Sequence, residues 1–191
     1  MGGLMDAITG RRSIRNYRNE EIPGEILEQV LEAVRWSPSW ANTQCWEIIV
    51  VKDPGTKRKL QGIVGRRNPA FRAIVEAPIV LAVCGRLGCA GYYGGEATTT
   101  FGDWFMFDLG IATQNLCLAA HDLGLGTVIV GLFDHSQAME ILLVPEGCQL
   151  VALVPIGYPS RKPSAPARRK VAEFTHSERC QPSGPAGRHL L

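Results

Sequence analysis

Four apolar, β-rich runs separated by stretches of helical periodicity predict a layered domain of α/β or α+β class. The runs are WEIIVV (46–51), APIVLAVCG (77–85), TVIVG (127–131) and CQLVALVPIG (148–157). The second is continuously hydrophobic, the mark of a strand buried on both faces. Between the runs, apolar residues recur every three or four positions, as they do on the buried face of a helix. A chain of 191 residues can bury a full core within one domain. Its 46% hydrophobic and 20% charged content argues against disorder over most of its length.

The elements follow in order. Glu21 to Trp36 reads as an amphipathic helix: Pro23 suits the first turn, where its missing N–H costs nothing, and Ile26, Leu27, Val30, Leu31 and Val34 share one face. Ser37-Pro38 stops it, because a residue before proline is pushed out of the α region. WEIIVV is then closed by the turn KDPG (52–55). Thr56 to Val64 and Pro69 to Glu76 read as short helices, followed by the strand APIVLAVCG. Leu87 to Gly102 carries five glycines and three aromatics, which suits a mobile loop bearing rings. Asp103 is placed to cap the longest helix, whose stripe is Phe105, Leu109, Ala112, Leu116, Ala119 and Leu123, with Gly124 as its C-terminal stop. That helix spans roughly 31 Å. TVIVG is a third strand, Asp134 begins a helix ending near Val144-Pro145, and CQLVALVPIG is the fourth strand. From about Tyr158, the proline-rich, basic stretch YPSRKPSAPARRK reads as an extended arm. Residues 1–175 are thus expected to form a single domain that includes the arm, and 176–191 a disordered tail. No internal repeat is present.

Composition excludes several classes. The net charge is only +2, and the arginine clusters lie toward the two ends, with no basic helix face for nucleic acid. The six cysteines form no CxxC pair and no completed zinc pattern, as expected of reduced thiols in a cytosolic protein. The opening MGGLMDAITG has no basic n-region or long apolar run, and Asp6 breaks the myristoylation pattern. No apolar run approaches the ~18 residues of a membrane span. The expectation is a cytoplasmic protein without membrane contact. GxSxG, the Walker loop and HExxH are absent. Gly124 and Gly126 end a helix and lead into a strand, the reverse of the dinucleotide-binding order. The four histidines lack metal-ligand spacing, no metal is expected, and His121 reads as a local structural or surface residue.

Four segments remain: RRSIRNY (11–17), SPSWANTQCW (37–46), GLGTVIVGLFD (124–134) and PARRK (166–170). Taken singly, each has a bland reading: a solvated basic face, a loop after a helix, a core strand with its turn, a charged arm. Taken together and in this order, with GDWFMFDLGIATQNLCLAAHDLGLGTVIVGLFD (102–134) and PIGYPSRKP (155–163), they resemble the nitroreductase family of FMN-dependent oxidoreductases. The likeness runs from about Met5 to Glu173, with Cys45 where proline is usual. It implies an α+β, three-layer fold whose central, mostly antiparallel sheet is flanked by helices. It also implies an intertwined homodimer with two identical FMN sites at the subunit interface.

The same resemblance implies roles for particular residues. Arg11 and Ser13, with Arg12 beside them, would hold the FMN phosphate, whose nearly two negative charges suit a bidentate guanidinium and a hydroxyl. Arg15 would stand near the flavin N1 and O2 edge, where a fixed cation stabilises the charge that arrives with a hydride. Arg169, and after it Arg168, would reach back to the phosphate. Pro38, Ser39 and Asn42, and less directly Gln44, would come from the partner subunit. Val130, Gly131 and Leu132 would run along the isoalloxazine, with a backbone N–H near Gly131 meeting flavin N5; glycine permits that close approach. Trp40 stands where a small residue is common and would narrow the mouth. Tyr92, Tyr93, Phe101 and Trp104 would line the acceptor pocket, and Asn68 and Arg72 could reach the pyrimidine edge. No catalytic acid or base is assigned, since water can supply the protons. The implied activity passes hydride from NAD(P)H through FMN to a nitroaromatic, quinone or similar electron-poor acceptor. Other flavin chemistry on the scaffold (reductive dehalogenation, ene reduction, flavin cannibalisation) and a non-catalytic FMN-binding or sensing role are the alternatives.

Overall fold

The computed structural model describes residues 3–180. Its helices are α1 (Leu4–Gly10), α2 (Gly24–Arg35), α3 (Pro54–Gly62), α4 (Ala73–Glu76), α5 (Phe105–Asp122) and α6 (His135–Leu142). Its strands are β1 (Trp46–Val51), β2 (Ile79–Arg86), β3 (Tyr92–Tyr93), β4 (Glu96–Ala97), β5 (Gly126–Thr127) and β6 (Cys148–Gly157). The main sheet has the order β1-β2-β6-β5 and every named pairing in it is antiparallel.

Strand β2 shows why the chain forms layers. Side chains alternate across a strand, and β2 is apolar at both parities. Val80, Ala82 and Cys84 enter one core with Leu60 of α3, Ile74 of α4 and Ala138 of α6. Ile79, Leu81 and Val83 enter a second core with Val30 of α2 and Leu109 and Leu116 of α5. The sheet is therefore the middle of three layers. Each fully buried aliphatic side chain contributes about 1.5–3 kcal/mol, so β2 alone is a large share of the fold's stability.

Four expectations are corrected in detail. Pro23 is the residue before α2 and not within its first turn. The KDPG segment starts α3: the Asp53 carboxylate accepts from Thr56 N–H at 2.6 Å and Pro54 opens the helix. The helix placed over 69–76 shrinks to α4, because Asn68 Oδ1 accepts from Ala70 N–H at 2.9 Å and holds the preceding residues in a turn. Of the strand TVIVG only Thr127 remains, joined by Gly126 to make β5. The reason lies on its neighbour: Val128 donates to Pro155 O at 3.4 Å, but proline has no N–H to return. The ladder breaks there and resumes only as one bridge between Val130 and Leu153.

Helix α1 has no counterpart in the sequence pattern, since none of its residues is buried; Leu4, Met5 and Ile8 are exposed. The start of α5 is held by Asp103, one residue further out than a normal cap, with Oδ1 accepting from Phe105 N–H at 3.0 Å and Oδ2 from Gly88 N–H at 2.7 Å. Gly124 ends it at φ +79°. The glycine-rich stretch 87–102 contains the short ribbon β3–β4. Beyond Ser160 the arm is exposed and irregular apart from a 3-10 turn at Val171–Glu173. Of the expected tail, 176–180 are exposed, with bends at 177–179, and 181–191 lie outside the described residues. No helix among the described residues is long and apolar enough to cross a membrane.

Candidate functional site

The segment 11–17 starts at the end of α1, where Arg11 N–H donates to Ala7 O. It is extended and lies beside β5, with Ile14 N–H donating to Thr127 O at 2.8 Å and Arg18 N–H to Tyr158 O at 2.8 Å. Ile14 and Tyr17 are buried. The Tyr17 hydroxyl lies 2.8 Å from Ile14 O and 3.0 Å from Pro155 O, and burial pushes its ionisation well above the ordinary tyrosine value, so the O–H remains a donor. Tyr17 is an anchor for the basic segment. Arg11, Ser13 and Arg15, alternating with Ile14, line a cavity of about 270 Å³ together with Arg12, Pro163, Ser164, Pro166 and Arg168. Four arginines and two serines thus line it, with no carboxylate on the wall.

Two atoms of that cradle are unpaired. Arg11 Nε and Arg12 Nε are buried without a hydrogen-bond partner. Arg12 also donates Nη1 to Thr9 O at 2.6 Å and Arg11 O at 2.7 Å, so part of its guanidinium closes the end of α1. A buried donor without an acceptor costs about 1–3 kcal/mol. An oxyanion in the cavity would supply the acceptor and offset the mutual repulsion of the arginines. Arg168 belongs to this wall and Arg169 does not. Arg169 pairs with the Glu173 carboxylate at 3.9 Å, donates to Glu173 O, and lies over the Phe174 ring at 5.7 Å. Of the two arginines expected to reach back, Arg168 is the one that lines this cavity.

Behind the cradle, a cavity of about 210 Å³ is lined by Arg11, Arg12, Cys117, His121 and Lys162, among others. Burial first, then the charges of Lys162, Arg11 and Arg12, hold the His121 imidazole below its ordinary pKa, with Asp122 opposing. His121 is therefore part of the cradle's back wall.

The segment 37–45 is a strained loop. Ala41 (φ 43°), Asn42 (φ 58°) and Gln44 (φ 47°) are all left-handed. Asparagine tolerates that region, but alanine and glutamine there cost of order 1–3 kcal/mol each. Three groups hold the loop. Asp108 of α5 accepts from Trp40 N–H with both oxygens, at 3.1 and 3.0 Å. Ser39 Oγ accepts from Gln44 N–H at 2.9 Å. Arg86 donates to Thr43 O and Gln44 O, both at 3.1 Å. Asp108 is only 2% exposed, and the Cys45 thiol lies 3.7 Å from its Oδ2. Burial, with the Asp108 charge second, pushes that thiol up to about 12, so it stays protonated. Nothing in the sequence pattern singles out Asp108, whose partner is a backbone N–H far away in the chain.

The exit from β5 divides in two. Val130 is buried, and its N–H and C=O are both taken by Leu153 at 2.9 Å. Gly131 and Leu132 are exposed. A Cβ added at Gly131 would meet nothing within 4 Å. His135 approaches Gly131 O with Nε2 at 3.1 Å and Leu150 O with Nδ1 at 3.0 Å, its ring stacked on Phe133. Asn68 Nδ2 reaches Leu132 O at 3.5 Å, which puts Asn68 beside this stretch, whereas Arg72 stands at the start of α4.

Three of the five expected pocket aromatics come together. Trp104 lies 5.1 Å from Trp40 and 6.0 Å from Phe101, and Phe107, which the sequence pattern did not mark, joins at 5.4 Å. Tyr92 and Tyr93 sit instead in the β3–β4 ribbon, Tyr93 strongly exposed.

Within one chain these parts are separated. Asp108 ties the 37–45 loop to the start of α5, whereas His121 backs the arginine cradle near its end. At 1.5 Å per residue the two ends stand roughly 20 Å apart. Pro38, Ser39 and Asn42 are not among the residues lining the arginine cavity.

A family model described as the Nitroreductase family matches residues 8–73 and 66–158. The chain is 33% identical to a NADH dehydrogenase of Thermus thermophilus, covering 83% of this chain and 89% of that protein. It is 26% identical to iodotyrosine deiodinase 1 of Mus musculus, covering 87% of this chain and 66% of that protein. Among solved structures, the NADPH:FMN oxidoreductase of Vibrio harveyi, complexed with NAD+, superposes with a TM-score of 0.78 at 25% identity, covering 94% of this chain and 78% of that one.

Proposed function

The chain belongs to the nitroreductase family, and on that premise we propose that it is an NAD(P)H-dependent flavin oxidoreductase that uses FMN to reduce a nitroaromatic, quinone or similar electron-poor acceptor. The observation that carries this reading is the arginine cradle with its two buried, unpartnered Nε atoms. A phosphate monoester fits that donor set: it brings several acceptor oxygens and close to two negative charges to a wall with no acid on it. When bound, FMN supplies hydride acceptance from the nicotinamide and delivery to the acceptor.

The chain's own residues bind and orient. Arg11, Arg12, Ser13 and Arg168 hold the phosphate, and Arg15, exposed at the same cavity, supplies positive charge to the ring's electron-accepting edge. Gly131 and Leu132 lie along the ring, where the missing side chain of Gly131 leaves room. Trp40, Phe101, Trp104 and Phe107 offer flat apolar surface to a planar acceptor. Residues 1–175 act as one cofactor-binding unit, in a cytoplasmic protein.

The site is completed by a second copy. Support comes from the roughly 20 Å that separates the cradle from the 37–45 loop along α5, and from the exposed apolar side chains of Leu4, Met5, Met106, Phe107, Val171 and Phe174. In the homodimer Pro38, Ser39 and Asn42 of one protomer face the flavin held by the other. A second reading, reductive dehalogenation on the same scaffold, is favoured by the likeness to the iodotyrosine deiodinase.

Purified protein is expected to be yellow, or to take up added FMN, and to lose its flavin absorbance on anaerobic addition of NADH or NADPH. A panel of quinones, nitroaromatics and halogenated phenols then separates the two chemistries. A colourless protein that binds no FMN sinks both.

A further inference from the structure

Resting on the flavin reading above, we propose that Asp108 is a positioning residue that keeps the flavin-facing loop 38–44 in a conformation the loop would not adopt by itself, trading stability of the free protein for cofactor affinity. Three observations meet at this side chain. First, the loop is strained: three non-glycine residues within 41–44 have positive φ, and one of them is alanine. Second, the strain is held from α5, since both carboxylate oxygens of Asp108 take the N–H of Trp40, the residue just before the left-handed run. Third, Asp108 is itself a costly group to keep there. It is 2% exposed, its nearest donors are one backbone N–H and the Cys45 thiol, and no cation pairs with it among the described residues. Its place in the first turn of α5 supplies the remaining support through the helix dipole.

A buried acid without a cation and a left-handed alanine are both unfavourable for folding. Their coincidence is explained if the loop geometry serves the ligand. Trp40 carries the effect further, because its indole packs on Trp104 at 5.1 Å, so the same hydrogen bond fixes one wall of the acceptor pocket. Removing the carboxylate should let 40–44 relax to ordinary backbone. The free protein should then be no less stable, and FMN affinity should fall. A residue that only supported the fold would lower both together.

The test uses full-length wild type, D108L and D108N. Leucine keeps the volume and removes the acceptor. Asparagine keeps one carbonyl oxygen for Trp40 N–H. The proposal expects D108L to unfold at the same or a higher temperature than wild type without FMN, to bind FMN at least tenfold more weakly, and to lose the near-UV circular dichroism of the Trp40–Trp104 pair. It expects D108N to recover most of the affinity and the dichroism. Unchanged FMN affinity in D108L overturns it. So does parallel loss of stability and affinity in both variants, which would make Asp108 merely structural. If D108L does not fold, the claim that the free protein gains from losing the carboxylate is overturned. Wild type that takes up no FMN refutes the flavin reading itself, and is distinguished from these outcomes by being measured first.

Discussion

Two glycines five residues apart, roughly 17 Å of extended chain, Gly126 and Gly131, give opposite predictions for the same change. In β5, a Cβ on Gly126 would stand 2.7 Å from Ile14 Cβ and 3.0 Å from Ile14 Cγ2. Carbon atoms rest comfortably at about 3.5–4.0 Å, so in Gly126→Ala the isoleucine must retreat by roughly 1 Å. Ile14 is 4% exposed and its N–H is bound to Thr127 O at 2.8 Å, so the retreat strains packing and that hydrogen bond together. Overpacking costs about 1–3 kcal/mol and the weakened bond about 0.5–1.5 kcal/mol. For a domain of this size about 2–4 kcal/mol lowers the unfolding midpoint by roughly 5–15 °C. Arg11 and Ser13 move with Ile14, so FMN affinity falls as well. In Gly131→Ala the new methyl meets nothing within 4 Å in the free chain, so the midpoint should stay put while FMN affinity falls, because the ring is to lie there. Differential scanning calorimetry and quenching of FMN fluorescence measure the two quantities. An unchanged midpoint in Gly126→Ala refutes the packing argument, and unchanged FMN affinity in Gly131→Ala refutes the placement of the flavin.

The remaining predictions concern the cradle and two buried groups. Arg11→Ala should lose about 1.5–3 kcal/mol of FMN binding, roughly 10- to 150-fold in Kd, and Arg168→Ala should weaken binding too. Arg169→Ala should have little effect, since that side chain is engaged by Glu173 and Phe174; a larger loss in Arg169→Ala than in Arg168→Ala would restore the sequence-based order. His121, held below its ordinary value by burial and by Lys162, Arg11 and Arg12, makes the unfolded chain bind a proton that the folded chain refuses. Stability should therefore decline as pH falls below about 6.5 and level off below the folded value, and His121→Gln should flatten that slope in thermal melts. Lys57 is buried with its ammonium on Ala77 O at 2.7 Å and Pro78 O at 3.3 Å. Lys57→Met should leave both carbonyls unpaired and cost about 1–3 kcal/mol in denaturant unfolding.

What could be read from the sequence was what depends on near neighbours. The periodicity of α2 and α5 and the unbroken apolar run of β2 mark those elements because burial repeats along them. The end of β5 could not be read, since it depends on Pro155, a residue of another strand that cannot return a hydrogen bond. Helix α1 escaped because its apolar residues point outward in the single chain. At the site, the resemblance marked Arg11, Ser13 and Arg15, and the fold brings them onto one wall. It ranked Arg169 before Arg168, whereas in the fold Arg168 lines the cavity and Arg169 is engaged by Glu173 and Phe174, which belong to a local turn. Nor could it find Asp108, whose only distinguishing feature is a carboxylate facing the backbone of a loop 68 positions away.

The arginine cavity is built from residues 11–15 and 163–168, and this has a consequence for how the protein is made. A ribosome adding about 5–20 residues per second needs on the order of ten seconds or more to travel from the first wall to the second. During that time β1 and β2 are made while Arg11, Arg12 and Arg15 still face no opposite wall, but β6, whose last residue is Gly157, is finished only six residues before Pro163. Cofactor capture is then a late event in the life of each chain. The last strand of the sheet and the second wall of the cavity are completed almost together, so FMN meets each chain while its cores are closing.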